Sequence, residues 1–303
     1  MLINYEKIIQ NLLDIKQGNV LQAQELGVAD IDQYLRFKQS NFNLILGHAN
    51  VGKTTVALYL MLLYTIKHKK RWLVFSSENE PDTLIKRLIE FIEKKPLTQI
   101  SDKAFKKQSE YVYKYFKFID NNMMFSYSKL LELATHIKSA WDYNGFFIDP
   151  YNSLQKDNQI LKNIGGHEYD YNACTEFRMF CKKYQITIWL NTHANTEALR
   201  KKHSSFHEYS GHPIPPMASD VEGGGKFVNR ADDFMVIHRY VQHPTDYMYN
   251  LIHIRKVKEI ETGGRPTPLE KPIKIKALPN NVGFTINGID LLDIVKTPDN
   301  TPF

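Results

Sequence analysis

Cysteine is scarce in this chain: two residues, Cys174 and Cys181, in 303. So few thiols exclude a fold built on disulfides. Seven positions apart on an expected helix, they share a face and read as reduced core thiols rather than a ligand pair. No apolar run is long enough to cross a bilayer. The opening stretch, MLINYEKIIQNLL, has neither a signal-peptide pattern nor the Arg-rich pattern of an organelle transit segment. These absences lead us to expect a cytoplasmic protein with no membrane partner. Internal repeats and low-complexity tracts are missing too. Neither sign of charge dominates strongly, since the formal net charge is +6 with pI ≈ 9.0. That balance permits a nucleic-acid partner without requiring one. At 303 residues the chain can bury one large core or two small ones.

What is present is alternation. After residue 40, strand patterns at 42–47, 72–77, 145–149, 186–192, 233–239 and 248–257 intersperse with helix patterns at 53–69, 81–94, 128–142 and 171–184. Such alternation predicts an α/β fold with a mostly parallel, twisted sheet and helices on both faces. Several strands are apolar throughout, as strands covered on both sides must be. The segments KPIKIKAL and VGFTI predict a C-terminal antiparallel hairpin. Residues 3–15 predict an amphipathic helix with Ile3, Ile8, Ile9, Leu12 and Leu13 on one face, followed by a break at 17–19. Residues 195–226 and 264–272 are rich in turn formers and read as long connections.

The most informative stretch is ILGHANVGKTT, residues 45–55. A buried strand runs into Gly47, four residues follow, and Gly52-Lys53-Thr54 opens an apolar helix. The two glycines allow a tight loop whose N–H groups face inward. With the positive end of the following helix, that loop is an anion site. This is the phosphate loop of a nucleoside triphosphatase: Gly47, Asn50, Val51, Gly52 and Thr55 cradle phosphates, Lys53 reaches the β- and γ-phosphates, and Thr54 ligates Mg²⁺.

Three further strand ends add chemistry. Asp149 closes the apolar strand in GFFIDPYNSL, as a metal-supporting acid does. Glu78 and Glu80 follow the strand in WLVFSSENE. Glu78 lies nearer the strand and is the expected base for water, whereas Glu80 fits a helix N-terminal acid before Pro81. Thr192 and His193 end the strand in ITIWLNTHAN, where a histidine can bond a γ-phosphate. Lys256 and Lys258, two apart on a strand pattern, project to one side, with Arg255 and Val257 on the other. They read equally well as phosphate contacts or as a solvated sheet edge.

The order of these motifs resembles the RecA-like motor domain of superfamily 4 replicative helicases, nearer the Twinkle and phage primase-helicase branch than the DnaB branch. The similarity spans roughly residues 25–260 and rests most specifically on FFIDPYNSL followed by DVEGGGKFVNRADDFMVIHRY. It implies a division into an N-terminal helix and linker at 1–24, a possible subunit-docking element, and a motor domain at 25–303. It further implies ATP with Mg²⁺, Glu78 as base, Arg87 as the helix arginine after it, and His193 as γ-phosphate sensor. Loops at 155–170 and 194–226 would meet single-stranded DNA, with Arg200, Lys201, Lys202 and Lys226 as the available cations. The implied assembly is a ring homo-oligomer, a hexamer, working with a separate primase and other replisome proteins, in a phage-encoded setting. The chain departs from the pattern in having Lys256-Val257-Lys258 where the family has Lys-x-Arg, the finger that reaches a neighbour's ATP. Lys-x-Lys is similar to RecA recombinases, so a strand-exchange or annealing ATPase stays open beside the helicase. A nucleotide-binding replication accessory protein is a third alternative.

Overall fold

The computed structural model of the chain describes residues 4–17, 23–260 and 263–296. Its centre is a sheet of ten strands. Six are parallel: β1 (Phe42–Gly47), β2 (Trp72–Ser76), β3 (Phe116–Phe118), β4 (Gly145–Asp149), β5 (Thr187–His193) and β6 (Asp233–His238). Four continue antiparallel at one end: β7 (Tyr249–Lys256), β8 (Ile273–Ala277), β9 (Phe284–Ile286) and β10 (Ile289–Asp290). The order across the sheet is β10-β9-β8-β7-β6-β1-β5-β4-β2-β3. The α/β class, the mostly parallel sheet and the antiparallel C-terminal hairpin agree with the sequence-based expectation.

The helices are α1 (Tyr5–Lys16), α2 (Ala29–Asp32), α3 (Lys53–His68), α4 (Pro81–Glu93), α5 (Asp102–Tyr115), α6 (Tyr127–Ala140), α7 (Asn158–Tyr184), α8 (Lys226–Arg230) and α9 (Leu291–Val295). Alternate residues of each central strand face opposite layers. Ile45, Val74 and Trp189 pack with α3 and α4, while Leu44, Leu46 and Ile148 pack with α6 and α7. Helix α3 is buried along nearly its whole length, from Val56 to Ile66, so its run of apolar residues shows no polar face. Burying both sheet faces is what makes β1, β2, β4 and β5 apolar without alternation.

Three expectations change. Residues 155–170 are not a loop: α7 starts at Asn158, capped by Asp157, and breaks only at Gly165, whose φ of 77° is non-helical. Helix α5 and strand β3 were not expected. Helix α1 keeps its amphipathic pattern, yet Tyr5, Ile8, Ile9, Leu12 and Leu13 are all exposed. Ile3, most of the break at 17–19 and residues 297–303 lie outside the described residues.

Two histidines sit in the core. His238 on β6 and His253 on β7 are 2% and 3% exposed. Burial, together with neighbouring positive groups, pushes both down to about 3 from 6.5. Below pH 6.5 the unfolded chain therefore takes up protons that the fold refuses. The stability tied to these neutral rings is complete above pH 6.5 and is lost as pH falls toward 3. Moving from pH 7 to pH 5 should cost about 2 kcal/mol for each ring. Urea unfolding at the two pH values measures this. Equal stability at both would contradict the assignment.

Candidate functional site

The phosphate-loop sequence adopts the expected strand–loop–helix form. Gly47 ends β1, and Gly52 precedes α3 with φ 89°, a left-handed conformation suited to glycine. Gly47 has a second constraint. A Cβ there would lie 2.4 Å from the Ile237 carbonyl oxygen on the adjacent strand. Lys53 is buried, and its Nζ donates to the carbonyls of Gly47 (3.1 Å) and His48 (2.9 Å). Burial lowers its pKa, opposed by the charges of Asp149 and Glu78. Two side chains from the antiparallel end steady the loop. Arg239 donates to the Asn50 carbonyl at 2.9 Å and Asn250 to the Val51 carbonyl at 2.7 Å.

Asp149, at the end of β4, is 1% exposed. Its carboxylate accepts hydrogen bonds from Thr54 Oγ1 (2.9 Å), Ser76 Oγ (3.1 Å), Asn79 Nδ2 (3.4 Å) and Asn191 Nδ2. Burial raises its pKa while the bonds from Asn191 and Thr54 pull it down. Glu78 follows β2 and is about half exposed, with Oε1 3.0 Å from His193 Nε2. The other nitrogen of His193 is 3.4 Å from Lys53 Nζ. Asn152 holds the His193 segment by accepting from its backbone N–H (3.0 Å) and from Thr192 Oγ1 (2.9 Å).

These groups border one cavity of about 520 Å³, lined by Lys53, Thr54, Thr55, Glu78, Arg87 and His193 among others. It opens at the C-terminal ends of the parallel strands, where ligands of open α/β sheets bind. Of the expected loop residues, Asn50 and Gly52 line it, whereas Val51 is buried beneath. Sequence reasoning missed Arg239, Asn250, Asn281 and Phe284 on its far wall. They come from or beside the antiparallel strands and belong to no short motif. Glu80 does not line the cavity; it precedes α4 with Pro81 in the first turn.

The expected cations behave differently. Lys256 Nζ donates to the carbonyls of Val228 (2.8 Å), Ala231 (2.7 Å) and Asn229 (3.4 Å), closing the end of α8. Lys258 pairs with Asp232 at 3.2 Å. Because β7 is antiparallel, Lys256 stands beside Phe234 at the start of β6, away from the cleft mouth. Lys226 is not a surface cation: its side chain is 8% exposed and pairs with Asp170 at 3.3 Å. Lys201 pairs with the buried Asp220, and Arg200 pairs with Glu197 at 2.7 Å. Lys202 is exposed.

No family model and no curated protein matches the chain. Solved structures do match its fold. The ATPase domain of a phage helicase matches with a TM-score of 0.69 at 15% identity, over 93% of this chain and 97% of that one. A DnaB-like replicative helicase, described with its interactions with primase, matches with a TM-score of 0.69 at 14% identity, over 94% of this chain and 67% of that one. The KaiC-like protein PH0186 of Pyrococcus horikoshii OT3 matches with a TM-score of 0.52 at 15% identity, over 83% and 91%. The chain thus has the RecA-like fold of helicase ATPase domains. At these identities the likeness is one of fold. Among the described residues no helix is long and apolar enough to cross a membrane.

The contact at Gly47 is directly testable. Gly47→Ala should destabilise the protein by about 1–3 kcal/mol, because the methyl group must displace the β6 backbone. Denaturant unfolding measures it. An unchanged midpoint would show that the two strands can separate freely.

Proposed function

We propose that this chain is the ATP-hydrolysing motor domain of a replicative DNA helicase, moving along single-stranded DNA as a ring of subunits. One observation carries the reading: Lys53, Thr54, Asp149, Glu78 and His193 converge on a single cleft at the strand ends. The fold shared with a phage helicase ATPase domain and with a DnaB-like replicative helicase supports it.

In this reading ATP phosphates replace the carbonyls of Gly47 and His48 as partners of Lys53. Thr54 and the buried Asp149 offer the hard oxygen donors that suit Mg²⁺, which neutralises phosphate charge when bound. Glu78, oriented by His193, takes the proton of the attacking water. His193 then senses the γ-phosphate, and its backbone link to Asn152 carries the change toward β4. Arg87, Arg239 and Phe284 line the outer part of the same cleft, where the remainder of the nucleotide would lie.

The DNA contacts we propose are narrower than the sequence pattern offered. Arg200 and Lys202 remain as exposed cations on the connection after β5. Lys256 and Lys258 act as fingers on a neighbour's ATP only if they leave their present partners. Separate primase and replisome partners are proposed by analogy with the DnaB-like helicase described together with primase. The exposed face of α1 is proposed to dock on the adjacent subunit.

Two outcomes test this. Glu78→Gln should bind ATP like the parent and release phosphate roughly 10²–10⁴-fold more slowly, whereas Lys53→Ala should lose affinity for ATP itself. Phosphate release at the parental rate from Glu78→Gln would remove Glu78 as the base. Separately, deleting residues 1–17 should abolish ring assembly in light scattering while leaving ATP binding intact. Rings of normal mass from the truncated chain would place the docking surface elsewhere.

A further inference from the structure

A second cavity lies on the antiparallel end of the sheet. Residues 203–217 cover Leu251, His253 and Arg255 of β7 and leave a space of about 540 Å³ between. It shares no lining residue with the cleft around Lys53. Two polar side chains in its lining have unmet hydrogen-bonding groups. His253 is 3% exposed, and neither ring nitrogen has a partner. Arg255, half-buried on the same face of β7, leaves its Nε without a partner. Buried polar atoms without partners are rare and need a cause.

The rest of the lining narrows the ligand. Flat rings border the space: Tyr209 stacks on Tyr240 at 3.8 Å, and His203 on His207 at 3.9 Å. Leu251, Ile214 and Met217 add apolar surface. Such a lining suits a flat heteroaromatic body, and the volume is within the usual range for small-ligand sites. A neutral imidazole offers one donor and one acceptor, which a hydrocarbon would leave unmet and a nucleobase edge can satisfy. At the rim stand Arg255, Lys271 and Lys274 against Glu208 and Glu270, with Lys274 already paired to Asp246 at 3.3 Å. That balance favours one phosphate over the crowded charge of a triphosphate.

We propose that this cavity binds a nucleotide with a single phosphate, its base against Tyr240 and His253 and its phosphate at Arg255. The nucleotide is either a free nucleoside 5′-monophosphate or one unit of a single strand. The proposal does not depend on hydrolysis at Lys53.

Equilibrium dialysis of the full chain tests it, with labelled adenosine and thymidine 5′-monophosphates in one arm and a short single-stranded oligonucleotide in the other. Arg255→Ala should weaken binding about tenfold or more. His253→Phe, which keeps a ring of similar size, should weaken it several-fold. Lys53→Ala, which disables only the first cleft, should bind like the parent. Retention of the monophosphates identifies a free nucleotide, and Arg255-dependent retention of the oligonucleotide alone identifies a strand unit. Retention of neither ligand by the parent overturns the proposal. So does equal affinity in the parent and Arg255→Ala, a variant that carries the test even if His253→Phe fails to fold.

Discussion

The buried carboxylate of Asp149 is the constraint on which the site depends. A carboxylate with almost no exposure must have its oxygens hydrogen-bonded or the fold loses several kcal/mol. Here the donors are Thr54, Ser76, Asn79 and Asn191. They come from the start of α3, the end of β2, the turn after it, and β5. Satisfying one anion therefore fixes the ends of three strands and a helix N-terminus relative to one another. Those same ends carry Lys53, Glu78 and His193. The spacing of the reactive groups is thus a consequence of how a single buried charge is solvated by the protein.

A similar arrangement holds the basic residues near α8. Asp170 of α7 accepts from Tyr151 at 2.8 Å and pairs with both Lys156 (3.2 Å) and Lys226 (3.3 Å). It links the segment after β4 to the helix that follows the three glycines at 223–225. Asp220 holds Lys201, and Asp232 holds both Arg178 and Lys258. These lysines are internal struts of the connections around the sheet. Removing one would leave a buried carboxylate without its partner, so loss of DNA binding in such a variant would confound folding with contact.

How much of this was legible in the sequence depended on whether the signal was local. The phosphate loop and the central strands were readable, because full burial writes an unbroken apolar run and the loop needs glycine at fixed places. Strand β3 is only three residues, FKF, too short to show a period. Helix α5 is largely exposed and highly charged, so its apolar positions form a sparse pattern. Gly165 and Gly166 read as a loop, and the chain does break there, but helix resumes on both sides. The misassigned cations failed for a different reason. Lys226 and Lys258 find their partners through the fold, on another helix and another strand, and no window of sequence contains that information. Asn250, Asn281 and Phe284 reached the cleft wall in the same way.

Coupling of hydrolysis at this cleft to a single strand is the central claim. Phosphate release by the full chain, measured with and without single-stranded DNA, tests it most directly. A clear rise is expected on adding the strand, reduced when Arg200 and Lys202 are both changed to Ala. Release that is absent, or that proceeds at the same rate with and without the strand, would contradict it.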